Sequence, residues 1–478
     1  MYPASRRAFL EKAASSFAAM VCAKGLPSRA QLASTAGSPR AWLTAGSRRY
    51  EEISLSGWQA PTGSPSSTGA STIEVDPSRT FQSILGFGGA FTDSSCFLFN
   101  QMRPDARHQL LQELFSTAGL NLSVSRTCIG SSDYSLTAYT FDDTPAPDPG
   151  LSHFSIEHDC AYILPTLREA ASIQPDLFFF STPWSPPAWM KTGDSLLGGS
   201  MRKQYFDSYA QYFVKFIEAY KAAGINIRAV TIQNEVDTDQ DGAMPAALWG
   251  QEYEGDFIKS FLGPALSSAS LDTKIWLLDH NFNLWGRVMD LLSDPDVYRV
   301  VDGVAWHAYV GEPDAMTRVH DAFPSKSAYF TEYGPMITDA DYLTGWAKWS
   351  ASYAQVFRNW ARCAVAWNLL LNEKGGPNLG PFTCGGVVTI GSKTRQLTRS
   401  GQYWALAHYS KTVQRGARVI ASSLSLPGVE HVAFANPDGT FVLVLTNQGK
   451  DRDIQCRAQG RSLNASLPAD SILTLQWA

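Results

Sequence analysis

Ile227-Arg228-Ala229-Val230-Thr231-Ile232-Gln233-Asn234-Glu235 is a short, β-branched apolar run that ends on three polar side chains, the last a carboxylate. Directly upstream, Tyr205-Phe206, Tyr209, Tyr212-Phe213, Phe216-Ile217 and Tyr220 recur at intervals of three and four, the period of an amphipathic helix. A helix feeding a buried strand is one unit of an alternating β/α chain, and the unit repeats outward in both directions. Apolar runs at 84–92, 120–128, 177–183, 227–234, 274–279, 301–308, 327–331 and 362–370 make eight, separated by helix-length amphipathic segments. Eight such units close naturally into a ring, so the chain is expected to form a (β/α)8 TIM barrel over residues 81–400.

Past about Arg399 the period changes. Short alternating runs at 419–425, 431–435, 440–446, 453–457 and 471–477 are broken by Asn436-Pro437-Asp438-Gly439 and Asn447-Gln448-Gly449-Lys450, which predicts a small antiparallel β domain over 401–478. Ala41-Trp42-Leu43-Thr44 and Thr72-Ile73-Glu74-Val75 would be left unpaired by the barrel, so residues 31–80 are expected to lend strands to the same sheet. Between them Pro61-Thr62-Gly63-Ser64-Pro65-Ser66-Ser67-Thr68-Gly69 reads as a loop. At the other end, Ser5-Arg6-Arg7-Ala8-Phe9-Leu10-Glu11-Lys12 and the short apolar run that follows read as a twin-arginine export signal over residues 1–30, cut after Ala23 or near Ala30. A periplasmic or extracellular protein is the expectation, with no integral membrane span in its mature form.

Composition narrows the partners. With 44% hydrophobic and 17% charged residues in 478, the chain has to bury a large core. Its 39 basic and 44 acidic side chains leave a net charge of −5, so no basic field exists to hold nucleic acid or an anionic membrane. Fourteen Trp, 18 Tyr and 25 Phe suit a large core and equally a cleft that stacks on sugar rings. The seven cysteines stand singly, without the spacing of a zinc ribbon or a disulfide scaffold.

A barrel collects its chemistry where the strands end. At those ends stand Thr92-Asp93, Arg126, Trp184, Asn234-Glu235, Asp279-His280, His307 and Tyr309, Glu332 and Trp367. Glu235 and Glu332 leave the fourth and seventh runs, across the mouth from each other. Two inward carboxyl groups ~5–5.5 Å apart are what glycosidic cleavage with retention requires, one as nucleophile and one as acid and then base. Asn234 can bond a sugar hydroxyl, and Arg126, reaching in from the second run, can keep Glu332 ionised. Trp184 is placed to stack on a pyranose and Trp189 to pack. Gly86-x-Gly88-Gly89 lacks the lysine of a phosphate loop and reads as a closely packed strand. Asp279-His280 lacks a third ligand at a recognisable spacing, so a hydrogen-bonding role is expected, with no metal and no cofactor.

Gly86-Phe87-Gly88-Gly89-Ala90-Phe91-Thr92-Asp93, Ser131-Ser132-Asp133-Tyr134-Ser135, Pro183-Trp184-Ser185-Pro186-Pro187-Ala188-Trp189, Gln233-Asn234-Glu235, Thr331-Glu332 and Trp367-Asn368-Leu369 occur in one order, and from about residue 42 onward the chain resembles the glucosylceramidase-like members of glycoside hydrolase family 30. The resemblance implies a barrel with a side β-sandwich built from both chain ends. It implies a retaining β-glycosidase that hydrolyses β-D-glucosidic bonds through a covalent glycosyl-enzyme, with Glu235 as acid/base and Glu332 as nucleophile. It carries sugar-binding roles onto Asp133, Trp184, Asn234 and Trp367, and matches His307 and Tyr309 to the His and Tyr around the nucleophile. The family's usual proline after the acid/base is replaced by Val236-Asp237-Thr238-Asp239-Gln240-Asp241-Gly242, and Ala366 and Leu379-Gly380-Pro381-Phe382 also differ from the mammalian glucosylceramidases, changes that bear on ceramide recognition. An endo-β-1,6-glucanase, a β-xylosidase or a β-fucosidase would use the same two glutamates. A non-catalytic carbohydrate-binding protein and a metal-dependent hydrolase are the readings from other classes. The expected partner is a carbohydrate or glycoconjugate; the sequence is silent on oligomeric state.

Overall fold

The computed structural model describes residues 38–60, 71–423 and 426–478; the export segment and the whole 61–70 loop tract lie outside them. Three strands precede the barrel: β1 (Arg40–Ala45), β2 (Arg48–Ile53) and β3 (Ser71–Ser83). The barrel strands are β4 (Gly86–Phe91), β5 (Val124–Cys128), β6 (Phe178–Thr182), β7 (Ile227–Thr231), β8 (Lys274–Asn281), β9 (Gly303–His307), β10 (Ser327–Glu332) and β11 (Ala361–Ala366). All eight pair in parallel, and β11 closes the ring on β4 through Cys363 opposite Gly86 and Ala366 opposite Gly89. Every expected run supplies one strand of this (β/α)8 barrel.

The glycines of β4 are there because neighbouring chain leaves no room. A Cβ on Gly88 would lie 1.5 Å from the Val124 carbonyl oxygen, and one on Gly89 would lie 2.6 Å from Leu369 Cδ2. Gly88→Ala is therefore expected to force β4 and β5 apart, costing about 4 kcal/mol or more. A melting temperature equal to that of the unchanged protein would refute the close approach.

The barrel interior is layered by the two-residue period of its strands. Val124, Phe180, Ala229, Trp276, Ala305, Tyr329, Cys363 and Val365 form a closed apolar plug, with the Trp276 and Tyr329 rings stacked at 3.8 Å. Two residues further along the strands the same inward face carries Arg126, Thr182, Thr231, His307 and Thr331, all buried. On β8 the step is three residues. The backbone at Leu278 and Asp279 is left-handed (φ 72° and 49°) and the pairing with β9 shifts there, so Leu278 goes to the outer core and Asp279 turns inward.

Beyond the barrel, β12 (Leu370–Asn372), β13 (Val388–Ile390) and β14 (Leu397–Arg399) form a small sheet of their own. β15 (Arg418–Ser422), β16 (Val429–Ala435), β17 (Phe441–Asn447), β18 (Arg452–Ala458), β19 (Arg461–Leu467) and β20 (Ser471–Trp477) join the three N-terminal strands in a nine-stranded sheet ordered β19-β18-β3-β15-β16-β17-β20-β1-β2. Leu43 of β1, Ile73 of β3, Ile454 of β18, Leu463 of β19 and Leu475 of β20 share one apolar cluster, so strands remote in the sheet order face each other and the sheet folds over as a sandwich. Alternate residues Val432, Phe434, Val442, Val444 and Ile472 instead join the barrel's core, which couples the two layers. β2 carries too many polar residues to be recognised from the sequence and is made a strand by its pairing with β1; β19, where Leu463, Ala465 and Leu467 alternate with polar residues, pairs with β18. Among the described residues no helix is long and apolar enough to cross a membrane.

Candidate active site

The polar layer above the plug is built around Arg126. Its guanidinium is fully buried, pairs with Glu332 Oε2, and donates to Asn234 Oδ1 at 2.8 Å and Asp279 Oδ2 at 2.7 Å. Asp279 is the counterweight: Thr182 and Thr231 donate to one of its oxygens, and Thr331 donates to the other, which lies 3.1 Å from His307 Nε2. Burial alone would raise the Asp279 pKa, but the Arg126 charge and the His307 and Thr331 hydrogen bonds outweigh it and hold the carboxyl well below its ordinary range. Asp279 is thus a permanent anion. With Glu332 and Glu235 it lifts His307 against the effect of burial, to about 9.

The two strand-end glutamates open into one cavity of about 490 Å³, whose wall also holds Asp133, Asn234, Trp184, Trp367 and Tyr309. Glu332, the last residue of β10, places Oε2 on Arg126 and takes the Tyr309 hydroxyl on Oε1 at 2.9 Å. Tyr309 is held for this by Asn281, whose side-chain oxygen accepts from the Tyr309 and Val310 amides. Glu235 stands four residues past β7 in a left-handed backbone (φ 55°), anchored through its amide to the Asp279 carbonyl at 3.0 Å. Its Oε1 is 3.4 Å from His307 Nδ1 and 3.5 Å from His280 Nδ1. Burial works to raise the Glu235 pKa, and the His307 hydrogen bond with the charges of His280, His307 and Arg126 reverses it, so the free carboxyl is held below its usual value.

Asp133 has a different environment. Burial, and then Glu332 and Glu235, push its pKa well up, and its Oδ1 is buried without a hydrogen-bond partner. A carboxyl group facing the cavity can accept from a ligand hydroxyl, and when protonated can also donate to one. Trp184 is 1% exposed, stacked on Trp367 at 5.2 Å and lying under the Arg126 guanidinium at 4.6 Å. Much of its ring is already covered by protein, which leaves less face for a pyranose than the sequence suggests. Arg126 and His307 stand behind the cavity wall and act on it through the carboxylates.

Thr92 and Asp93 end the first strand but serve the scaffold. Thr92 Oγ1 caps the helix Asp93–Asn100 by accepting from the Ser95 amide, and an Asp93 oxygen accepts from the Leu136 amide. Trp189 packs in the core, donating its indole N–H to the Asp142 carbonyl. Gln240 and Phe382, from the two loops that depart from the glucosylceramidase pattern, also line the cavity, together with Met244 and Cys384, which the sequence does not single out because they lie in loops without any periodic pattern.

Among the described residues, two groups bring three possible metal-ligand atoms within 4.8 Å of one another: Glu235, His280 and His307 in the cleft, and Asp142, Asp148 and His153 outside it. In the cleft His280 is already paired with Asp237 at 2.6 Å and His307 with Asp279, and an ion there would occupy Glu235. Outside, Asp148 Oδ2 already accepts from Ser152 and the His153 amide.

The barrel and the folded-over side sheet are each matched by a known family domain. Residues 84–413 match the glycosyl hydrolase family 30 TIM-barrel domain and residues 416–475 the glycosyl hydrolase family 30 beta sandwich domain. An endo-1,6-beta-D-glucanase of Neurospora crassa is 36% identical, covering 87% of this chain and 90% of its own. The lysosomal acid glucosylceramidase of Mus musculus is 31% identical, with 79% and 78% covered. A solved endo-beta1,6-glucanase, BT3312, superposes with a TM-score of 0.83 at 31% identity, over 92% of this chain and 100% of that one. With both of its domains matched and relatives above 30% identity along most of its length, the chain belongs to glycosyl hydrolase family 30 and is a glycoside hydrolase.

Proposed function

We propose that the chain hydrolyses β-D-glucosidic bonds by double displacement, with Glu332 as nucleophile and Glu235 as acid and then base, and that β-1,6-linked glucan is its favoured substrate. The observation that carries the reading is the asymmetry of the two carboxylates in one cavity. Glu332 has a guanidinium on one oxygen and a phenol on the other, an environment for an anion that attacks. Glu235 has an imidazole at hydrogen-bonding distance, with which it can share a proton.

In the first half-reaction Glu332 attacks the anomeric carbon while the Glu235 proton passes to the departing oxygen. Imidazolium at His307 with carboxylate at Glu235, and neutral imidazole with carboxylic acid, hold the same single proton, so His307 supplies Glu235 when the substrate oxygen arrives. Forming the ester removes the Glu332 charge. Glu235, now a carboxylate, takes a proton from water, which attacks the same carbon from the face the leaving group vacated and breaks its bond to Glu332, returning the carboxylate. Asp133 and Asn234 are the polar groups for sugar hydroxyls. The polymeric substrate is supported by the likeness to endo-1,6-β-glucanases, and the Arg6-Arg7 segment supports export to where such polymers occur.

The test is a panel of β-1,6-gluco-oligosaccharides, glucosylceramide in detergent and nitrophenyl β-glucoside, β-xyloside and β-fucoside, with and without chelator. β-1,6-Oligosaccharides are expected to be cleaved fastest, with the β-anomer released first and no loss in chelator. Fastest turnover of the glycolipid or of another sugar would overturn the substrate, and first release of the α-anomer would overturn the mechanism.

A further inference from the structure

The loop Val236-Asp237-Thr238-Asp239-Gln240-Asp241-Gly242 is held in an unusual conformation that brings one amide to the Glu235 carboxylate. Gln240, Asp241 and Gly242 are consecutive left-handed residues, with φ of 53°, 50° and 68°. Two non-glycine residues in this region persist only where the surroundings impose them, and such strain concentrates at functional sites. Here the Val236 carbonyl accepts from the Trp249 amide at 2.8 Å, Asp237 clasps His280, and the Asp239 carboxylate accepts from the Asp241 amide at 3.2 Å. Glycine is required opposite the loop: a Cβ on Gly198 would lie 2.9 Å from Gly242 Cα. The outcome of this bracing is that Gln240, lining the cavity, donates Nε2–H to Glu235 Oε2 at 2.8 Å.

We propose that Gln240 is a positioning residue for the acid/base carboxylate: by occupying Oε2 with a donor it fixes the plane of the carboxyl group and confines the transferable proton to Oε1, the oxygen nearest His307 and His280. A carboxyl group free to rotate would spend part of its time with the proton on Oε2, away from the imidazole that replenishes it. The charged and titratable groups around Glu235 are His307 of β9, His280 of β8, Arg126 of β5, Glu332 of β10, Tyr309 of the loop after β9, Asp133 of the loop after β5 and Asp237 of its own loop. The donor from Gln240 adds to the cationic side, favouring the charged form of Glu235, so its removal makes Glu235 harder to ionise.

The inference rests on Glu235 being the acid/base, and the test separates the two. Gln240→Leu is compared with the unchanged enzyme on aryl β-glycosides of β-1,6-linked glucobiose, one with a phenyl and one with a 2,4-dinitrophenyl leaving group. Departure of phenol needs the Glu235 proton and departure of dinitrophenol does not. For the phenyl substrate kcat/KM is expected to fall about tenfold and the alkaline limb of its pH profile to move up by roughly one unit. For the dinitrophenyl substrate kcat/KM is expected to stay within about twofold. Equal losses on both substrates, or a superimposable pH profile, would overturn the positioning role. If the Leu variant does not fold, Gln240→Glu, of the same shape and with a repelling charge, is expected to move the limb further in the same direction, and an unmoved limb would again overturn it. Glu235→Ala is the control: activity retained on the phenyl substrate would sink the acid/base assignment itself, whatever Gln240 does.

Discussion

Glu332→Gln is expected to remove turnover by about 10⁴-fold or more while leaving the fold intact, since an amide cannot form the glycosyl ester and the nucleophile's loss is not replaced by its neighbours. The substitution keeps the shape of the side chain. Its amide oxygen can still accept from Arg126 or Tyr309, the two groups that hold Glu332 now. Arg126 also keeps its pair with Asp279 at 2.7 Å, so no buried cation is stranded. The melting temperature should therefore move by no more than a few degrees, a range that about 1 kcal/mol spans for a chain of this size. Turnover close to that of the unchanged enzyme, in a protein that melts where it should, would remove Glu332 from the chemistry.

Arg126→Met has the larger structural effect. The side chain is fully buried and serves Glu332, Asp279 and Asn234 together while lying over the Trp184 ring. Met fills much of the volume and leaves Asp279 and Glu332 as buried carboxylates with no guanidinium, so stability at neutral pH is expected to drop by about 3–5 kcal/mol. Activity should vanish with it. The pH dependence identifies the cause. In the unchanged protein Asp279 sits well below its unfolded value, so its contribution is present above the unfolded pKa and is lost only as acid carries the pH down through the folded one. In the variant burial dominates and the folded pKa rises above the unfolded value, so the variant loses stability as pH rises through the carboxylate range. The gap between the two proteins should therefore narrow from pH 7.5 to pH 4.5 in urea denaturation. A gap independent of pH would mean that packing, and not the stranded charge, sets the cost.

Much of the architecture is legible in local pattern because the signals are local. A helix shows as a three-to-four spacing and a buried strand as an apolar run, and each of the eight runs corresponds to a barrel strand. Where amphipathic period is weak the reading fails: Arg48–Ile53 is mostly polar, and the three-residue strands 370–372, 388–390 and 397–399 are too short to show a period; Arg461–Leu467 has an alternating period, but one carried by only Leu463, Ala465 and Leu467, and is also missed. The strand ends point to the right region, since Arg126, Glu235, His307 and Glu332 meet there, but an end position does not say which way a side chain turns. Thr92 and Asp93 share that position, yet Thr92 caps a helix and Asp93 holds the Leu136 amide.

The sequence by itself determined the ring of eight β/α units, the sheet drawn from both chain ends, and the placing of two glutamates at the fourth and seventh strand exits. The tertiary structure alone decided that Asp279 points inward, through a kink at Leu278 and Asp279 that breaks the two-residue period of β8. It alone decided that Trp184 is stacked on Trp367, and that an amide from a strained loop reaches Glu235. The reason is physical: periodicity is set by neighbours along the chain, whereas the direction of a side chain at a kink and the partners of a loop are set by contacts that exist only after the barrel has closed.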